Sequence, residues 1–374
     1  MSKVKTIGFP RMIKEKGEKR DFLPELFSWL NKYNEVDVYL EKGYGQGMGF
    51  THEDYIKANP NIKFISHEEI YKKDLVVVLK SPTDEEIKLM GKGSHLVSML
   101  HYPTRKIKNK LLLHQGINCF SMDSMVDDDG VRMLVNYKGT SRSAVKAGFY
   151  ELKKRMPKFM SKERGPIKVT IIGMGFVAQQ AAKALEEFSD IEFLEKEIPG
   201  VVVRMLPRTI TNHYNLLEEI MKNTDLLIDA SKRLDTTKYI VSNKLIGYLP
   251  QSAVILDISA DPYNDKLNPV QVKAIEGIPT GNLEKYIFET DDISYEGIPK
   301  AVDTTNRRVV VSCSAWPGVD PKDCMKVYDK QIKGFLDVLL KKDLDCLDIN
   351  SENAFERSLY RSTLKYYQGN KEDK

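Results

Sequence analysis

The stretch that most constrains this chain runs from Lys168 to Leu185. A β-branched apolar run, Val169 to Ile172, meets Gly173-Met174-Gly175-Phe176-Val177-Ala178 and then a helical pattern led by Ala181, Ala182 and Leu185. Strand, glycine-rich turn and helix, in that order, are the context in which G-x-G-x-x-G/A signals a dinucleotide site. Gly173 permits the tight turn, Gly175 has no Cβ to keep a pyrophosphate from the backbone, and Ala178 lets the helix pack close to its strand. Free N–H groups and the helix dipole then hold the anion. In isolation the same turn would fit an ordinary strand-to-helix connection. The strand before it and the helix after it favour nucleotide binding.

With 374 residues the chain has room for two domains, at about 100 to 200 residues each. A hydrophobic fraction of 41% supports real cores and excludes a disordered chain. The 57 basic and 53 acidic residues nearly cancel, to a net +4, which is not the one-sided basic surface of a nucleic-acid binder. Cys119, Cys313, Cys324 and Cys346 show no C-x-x-C and no matching histidine spacing, so reduced thiols are expected and neither disulfides nor a metal site. No signal-peptide core opens the sequence, and no apolar run approaches the roughly 18 residues of a membrane helix. A soluble, cytoplasmic protein is expected, with no membrane or nucleic-acid partner; a homo-oligomer stays open.

Residues 4 to 9 read as a first strand, followed by a charged loop (residues 14 to 20) and an amphipathic helix after Pro24. Residues 35 to 40 and 62 to 65 read as further strands, Gly43 to Gly49 as a flexible turn, and Ser66 to Glu69 as a capping box. Residues 74 to 80 form a buried-looking strand ending in Lys80, and residues 95 to 101 another ending in His101. Strands alternating with helices imply a parallel sheet, whose ligand crevice lies beyond the carboxyl ends of the strands. Lys80 and His101 are therefore expected to face one crevice, although either alone would suit a solvated or structural residue.

Residues 140 to 158 read as a connecting helix. Past the glycine turn, residues 200 to 208 should form the second cofactor strand. An acidic residue usually closes that strand and binds the ribose; here Leu206-Pro207-Arg208 stands instead, and Arg208 suits a 2′-phosphate, which favours NADP over NAD. If that strand is misplaced, Glu195 or Glu197 becomes the acid. Residues 225 to 230 and 253 to 261 read as two further strands, the second ending in Asp261, and residues 307 to 313 as the last. Amphipathic helices follow over residues 324 to 340 and 354 to 367, then a frayed tail from Gly369. The expected fold class is α/β: two Rossmann-like doubly wound domains with a cleft between them, residues 140–319 forming a cofactor domain inserted in the middle of the chain and residues 1–139 plus 320–374 forming the substrate domain.

Lys5-Thr-Ile-Gly-Phe9, Glu18-Lys-Arg20, Leu23-Pro-Glu25, Gly43-Tyr-Gly45, Lys80-Ser-Pro-Thr83, Leu100-His101, the Gly173 loop, Asp257-Ile-Ser-Ala-Asp261 and Ala301-Val-Asp303 together resemble the alanine dehydrogenase / saccharopine dehydrogenase superfamily. Within it the chain is most similar to the N5-(carboxyethyl)ornithine synthases. The resemblance implies that Arg20 and Lys80 bind the carboxylate of a 2-oxo acid, Lys80 sharing in proton work. It makes His101 the acid/base and Asp261 the residue that orients nicotinamide and substrate. Gly173, Gly175 and Ala178 would hold the pyrophosphate.

Two departures qualify it. No acidic residue closes the second cofactor strand, and Ala315-Trp316-Pro317-Gly318 stands where alanine dehydrogenases carry Asn-x-Pro-Gly, which puts use of free ammonia in doubt. The expected activity is therefore NAD(P)H-dependent reductive coupling of an amino acid to a 2-oxo acid. Deamination of a small amino acid is the alternative, and a redox-inactive nucleotide-binding regulator a second one.

Overall fold

A computed structural model describes residues 4–12, 15–189, 191–233, 235–259 and 261–372. Lys14 of the charged loop, Ala260 of the 257–261 stretch and the last two tail residues lie outside these. The chain divides into two compact units, one of Met1–Lys14, Glu18–Asn136 and Pro321–Lys374, the other of Glu15–Gly17 and Tyr137–Asp320.

The first unit holds six strands: β1 (Thr6–Phe9), β2 (Asp37–Glu41), β3 (Lys63–Ile65), β4 (Leu75–Lys80), β5 (His95–Met99) and β6 (Asn118–Ser121). They lie in the order β3-β2-β1-β4-β5-β6, every neighbouring pair parallel. The chain winds outward from β1 to β3, then returns beside β1 with β4, so the order reverses between β1 and β4 and opens a crevice there. β4 can sit at the centre because Leu75 to Leu79 are all apolar and almost fully buried. Helix Pro24–Leu30 starts with proline, whose fixed φ suits a first turn, and buries Leu26, Phe27 and Leu30. Helix Pro321–Lys341 fills the same core with Met325, Ile332, Phe335 and Leu339.

The second unit has β7 (Ile167–Ile172), β8 (Val201–Leu206), β9 (Leu226–Asp229), β10 (Val254–Asp257), β11 (Ile287–Phe288) and β12 (Val309–Ser312), ordered β11-β12-β10-β9-β7-β8. All pairs are parallel except β11 with β12. Its order reverses between β7 and β9, beside the Gly173 turn. Helix Tyr137–Arg155 covers one face through Ala144, Val145 and Leu152.

Several local expectations change. β10 stops at Asp257, so Asp261 lies in a loop, not on a strand end. β8 stops at Leu206, and Arg208 opens a short helix, Arg208–Thr211, directly after Pro207. Gly43 to Gly49 is not slack: Gln46–Met48 makes a 3-10 turn with left-handed glycines at 43, 45 and 49. The second C-terminal stretch breaks into helices Ala354–Arg361 and Leu364–Glu372, because Thr363 pairs with Phe120; the latter helix includes Gly369, where a frayed tail was expected. No helix is long and apolar enough to cross a membrane, and among the described residues no cluster of three or more His, Cys, Asp or Glu could hold a metal ion.

Candidate active site

A charged cluster marks the crevice at the β1/β4 reversal. β4 ends on Lys80, and the non-repetitive chain after β1 sets Glu18 and Arg20 beside it. Arg20 donates from Nε to Glu18 Oε1 at 2.9 Å and from Nη2 to Oε2 at 2.6 Å, a bidentate fork. Lys80 Nζ lies 3.6 Å from the same Oε2. Burial would raise the Glu18 acid, but the Arg20 hydrogen bond and charge, then Lys80, hold it below the usual carboxylate range. Burial would equally lower Arg20, and Glu18 overrides it, so the guanidinium stays charged. Two cations thus share one carboxylate, a setting for an anion. Lys80 is the more open cation, its side chain 23% exposed against 4% for Arg20. Arg20 turns its Nε–Nη2 edge to Glu18 and its Nη1 toward Cys324 Sγ at 3.9 Å.

Side chains, not secondary structure, hold the 18–23 stretch. Asp21 accepts the N–H groups of Gly45 at 2.8 Å and Met12 at 3.3 Å. The Tyr44 hydroxyl accepts from Phe22 N–H at 3.1 Å, and the Tyr55 hydroxyl donates to Phe22 O at 2.9 Å. Asp329, on helix Pro321–Lys341, accepts from Leu23 N–H at 3.0 Å. Gly45 has φ +76, and a Cβ there would overlap the Tyr55 ring, so glycine is required twice over. Burial pushes the Asp21 acid up to about 7 and the Asp329 acid up to about 8, against the pull of their N–H donors.

His101 stands two residues past Met99, the register partner of Lys80. Its Nδ1 lies 3.4 Å from Asp123 Oδ2, and its own N–H donates to Asp123 Oδ1 at 3.2 Å. Ser121 Oγ donates to the same Oδ1 at 2.7 Å. Burial would raise Asp123, but the His101 hydrogen bond and charge, with Ser121, drive it well below the ordinary range. The carboxylate thus engages the ring at Nδ1, and the imidazole is about half exposed. His101 adopts φ +50, a backbone state unusual for a side chain of this size.

In the second unit, Gly173 has φ +103, and a Cβ on it would meet Ala230 O at 2.7 Å. A Cβ on Gly175 would meet nothing within 4 Å, so open space stands where a phosphate would approach the backbone. Ala178 is fully buried in the core. A cavity of about 640 Å³ takes in Gly173, Gly175, Leu206, Arg208, Lys232 and Lys238. Its charged lining is four basic residues (Arg208, Lys232, Arg233, Lys238) against one acid, Asp235. These residues fit a dinucleotide: a glycine turn at a sheet reversal, a small helix residue behind it and a basic wall. Arg208 Nη2 donates to Lys232 O at 2.7 Å, which braces its side chain in that wall. Asp261 is paired with Arg233, Nη2 to Oδ2 at 2.6 Å, and lines a smaller adjoining cavity of about 270 Å³ with Val177, Ser231 and Ser259.

Sequence reasoning quoted Glu18 without giving it a role, and gave none to Asp123 or Asp329. A signal exists for Asp123: it lies two residues past Ser121, the end of β6.

Residues 13–138 match the family described as alanine dehydrogenase/PNT, N-terminal domain. An alanine dehydrogenase of Halomonas elongata is 25% identical over 241 residues, covering 60% of this chain and 64% of that protein, which is less than two thirds of it. One from Bacillus subtilis is 24% identical over 274 residues, 68% of this chain and 70% of that one. Among solved structures, an L-alanine dehydrogenase superposes with a TM-score of 0.71 at 19% identity, covering 96% of this chain and 94% of that one. A transhydrogenase from Sinorhizobium meliloti gives 0.65 at 15% identity, covering 90% and 95%. The chain is thus similar to the alanine dehydrogenase/PNT superfamily through residues 13–138 and shares the two-sheet fold of L-alanine dehydrogenase.

Proposed function

We propose that the chain is a nicotinamide-dinucleotide-dependent oxidoreductase acting on the CH–NH2 group of a small amino acid, interconverting it with its 2-oxo acid and ammonia. The observation that carries this is the pairing in register of two strand ends, one with the net-positive Lys80–Glu18–Arg20 cluster, the other with the His101–Asp123 pair. Lys80 pairs with the substrate carboxylate, while Arg20 keeps Glu18 ionised and Lys80 in place. His101 Nε2 takes a proton from the substrate ammonium and passes it to bulk water, then takes one from the water that attacks the imine carbon and returns it to the departing amine. Asp123 stabilises the imidazolium each time it forms. The dinucleotide, when bound by the Gly173 turn, supplies the hydride acceptor. Asp261, held by Arg233, orients the nicotinamide end. Arg208 favours the phosphorylated dinucleotide, since no carboxylate closes β8.

The alanine dehydrogenases among the relatives support deamination over the coupling reaction that the sequence alone favours. Coupling of a 2-oxo acid to a second amino acid, as in the carboxyethyl amino acid synthases, remains a second reading because Ala315 replaces the asparagine of Asn-x-Pro-Gly. The test is consumption of NADPH or NADH with pyruvate or 2-oxoglutarate, against ammonia, ornithine, lysine and arginine. Turnover with ammonia alone establishes the first reading. A strict need for a second amino acid establishes the other, and no turnover with any pair overturns both.

A further inference from the structure

Two carboxylates buried in the second unit have no part in the scheme above. Asp229 ends β9 and Asp257 ends β10, and the two are register partners. Each residue is 1% exposed. Ser259 Oγ lies 2.7 Å from Asp229 Oδ2 and 3.0 Å from Asp257 Oδ1. Lys273, also 1% exposed, donates to Asp257 Oδ2 at 2.7 Å, and Ser312 Oγ donates to the same atom at 3.0 Å. Asp229 Oδ1 accepts from Ser231 N–H at 3.0 Å.

Counting hydrogens settles which acid is charged. A serine hydroxyl has one hydrogen and can donate to only one oxygen. Were both acids ionised, one of the two Ser259 contacts would set acceptor against acceptor, and a second buried anion would face a single ammonium at a cost of several kcal/mol. Lys273 and Ser312 both sit on Asp257, so Asp257 is the anion. With a hydrogen on Asp229 Oδ2 the contacts named above run in one direction: Asp229 donates to Ser259, Ser259 donates to Asp257, and Lys273 closes the row. Burial, then the charge of Asp257, push the Asp229 acid up to about 6, so that it keeps its proton below that pH.

The same Ser259 and Ser231 line the cavity of about 270 Å³ that also takes in Asp261 and Arg233. One hydroxyl therefore separates the buried acid from the space beside the glycine turn. The charged groups around it are Asp257 and Lys273, which offset each other, the Arg233–Asp261 pair, which does the same, and Lys232 on the cavity wall.

We propose that Asp229 holds a proton whose release is linked to the charge of the nicotinamide ring, so that the site distinguishes the oxidised dinucleotide from the reduced one. When a cationic ring occupies the cavity, the Asp229 O–H bond breaks, the proton passes to bulk water, and the carboxylate left behind serves as counter-ion. A neutral, reduced ring leaves the proton in place. No electrons move in this step. The inference rests on the dinucleotide reading of the Gly173 turn.

Calorimetric titration of the full chain with NADP+, NADPH, NAD+ and NADH, each in two buffers of different ionisation enthalpy, counts the protons released on binding. Below a pH of about 6, the expected result is about one proton released per oxidised dinucleotide and none per reduced one. The affinity ratio between the two should then shift up to about tenfold per pH unit while Asp229 is protonated in the free chain. Asp229→Asn mimics the neutral acid, and should still bind both forms with no proton release. Equal release for both forms in the unmodified chain overturns the proposal, as does undiminished release in Asp229→Asn. If that variant fails to fold, the comparison of the two forms on the unmodified chain decides alone. If neither form binds, the dinucleotide reading falls and takes the proton link with it.

Discussion

Glu18 and Arg20, two residues apart, clasp each other through hydrogen bonds of 2.9 and 2.6 Å, and both side chains are sealed from solvent. Removing one partner strands the other charge. Glu18→Gln should therefore destabilise the chain by about 3 to 5 kcal/mol. Urea denaturation measures this, and a loss under 1 kcal/mol would mean that the guanidinium finds another partner.

Lys80 is the more exposed of the two cations beside Glu18. If it pairs with the substrate carboxylate, Lys80→Ala should lower kcat/KM by roughly ten- to a hundred-fold, the loss of one charge-assisted bond. Lys80→Arg should recover part of it. A dinucleotide affinity falling in parallel would assign Lys80 to the wrong ligand.

If the His101–Asp123 pair transfers protons as proposed, its loss separates turnover from binding. His101→Ala should reduce turnover by about a hundred- to ten-thousand-fold while dinucleotide affinity, read by fluorescence, stays unchanged. Asp123→Asn should shift the pH profile of kcat/KM, because the imidazolium loses its carboxylate. A His101→Ala variant that loses cofactor affinity and turnover together would make the histidine structural.

Asp329 predicts a pH dependence of stability. Its acid is raised to about 8, whereas an unfolded aspartic acid ionises near its ordinary value of 3.8. The folded chain therefore holds the proton more tightly, so the contribution is fully present below the unfolded value and is lost as pH rises to about 8. Asp21, raised to about 7, acts in the same direction. Asp329→Asn, neutral and of the same shape, should flatten the decline in thermal stability across that window. A curve that keeps its slope would show that Asp329 is ionised in the folded chain.

The proposed preference for a phosphorylated dinucleotide rests on Arg208 and is tested by removing it. Arg208→Ser should weaken NADPH by about tenfold or more, the worth of one charged hydrogen bond, and leave NADH within a factor of two or so. Equal weakening of both would place Arg208 on a group the two share.

Much of the fold is legible in residue order. Apolar runs such as Val76 to Leu79 and Val169 to Ile172 have one home, the centre of a parallel sheet, and the G-x-G-x-x-A turn sits where a sheet reverses. Strand ends are less legible, because hydrogen bonding stops before the pattern does. Residues 253 to 261 look extended throughout, yet β10 ends at Asp257, whose side chain turns inward to Lys273. Lys80 and His101 could be picked out because they terminate apolar runs. Asp329 could not, since it acts on Leu23, far away in sequence, and a lone acid on an amphipathic helix looks like any solvated face.

The hydrogen bond from Leu23 N–H to Asp329 also bears on how the chain is made. The first unit draws on residues from Pro321 onward, so during synthesis on a ribosome its opening segment emerges long before its last helices exist. The unit formed by residues 137 to 320 can be completed first, while the stretch around Arg20 waits for a partner some three hundred residues downstream. Translational arrest or truncation shortly before residue 321 would leave a nascent polypeptide with a finished nucleotide-binding fold and an exposed aromatic surface around Phe22 and Phe27, a natural client for chaperones.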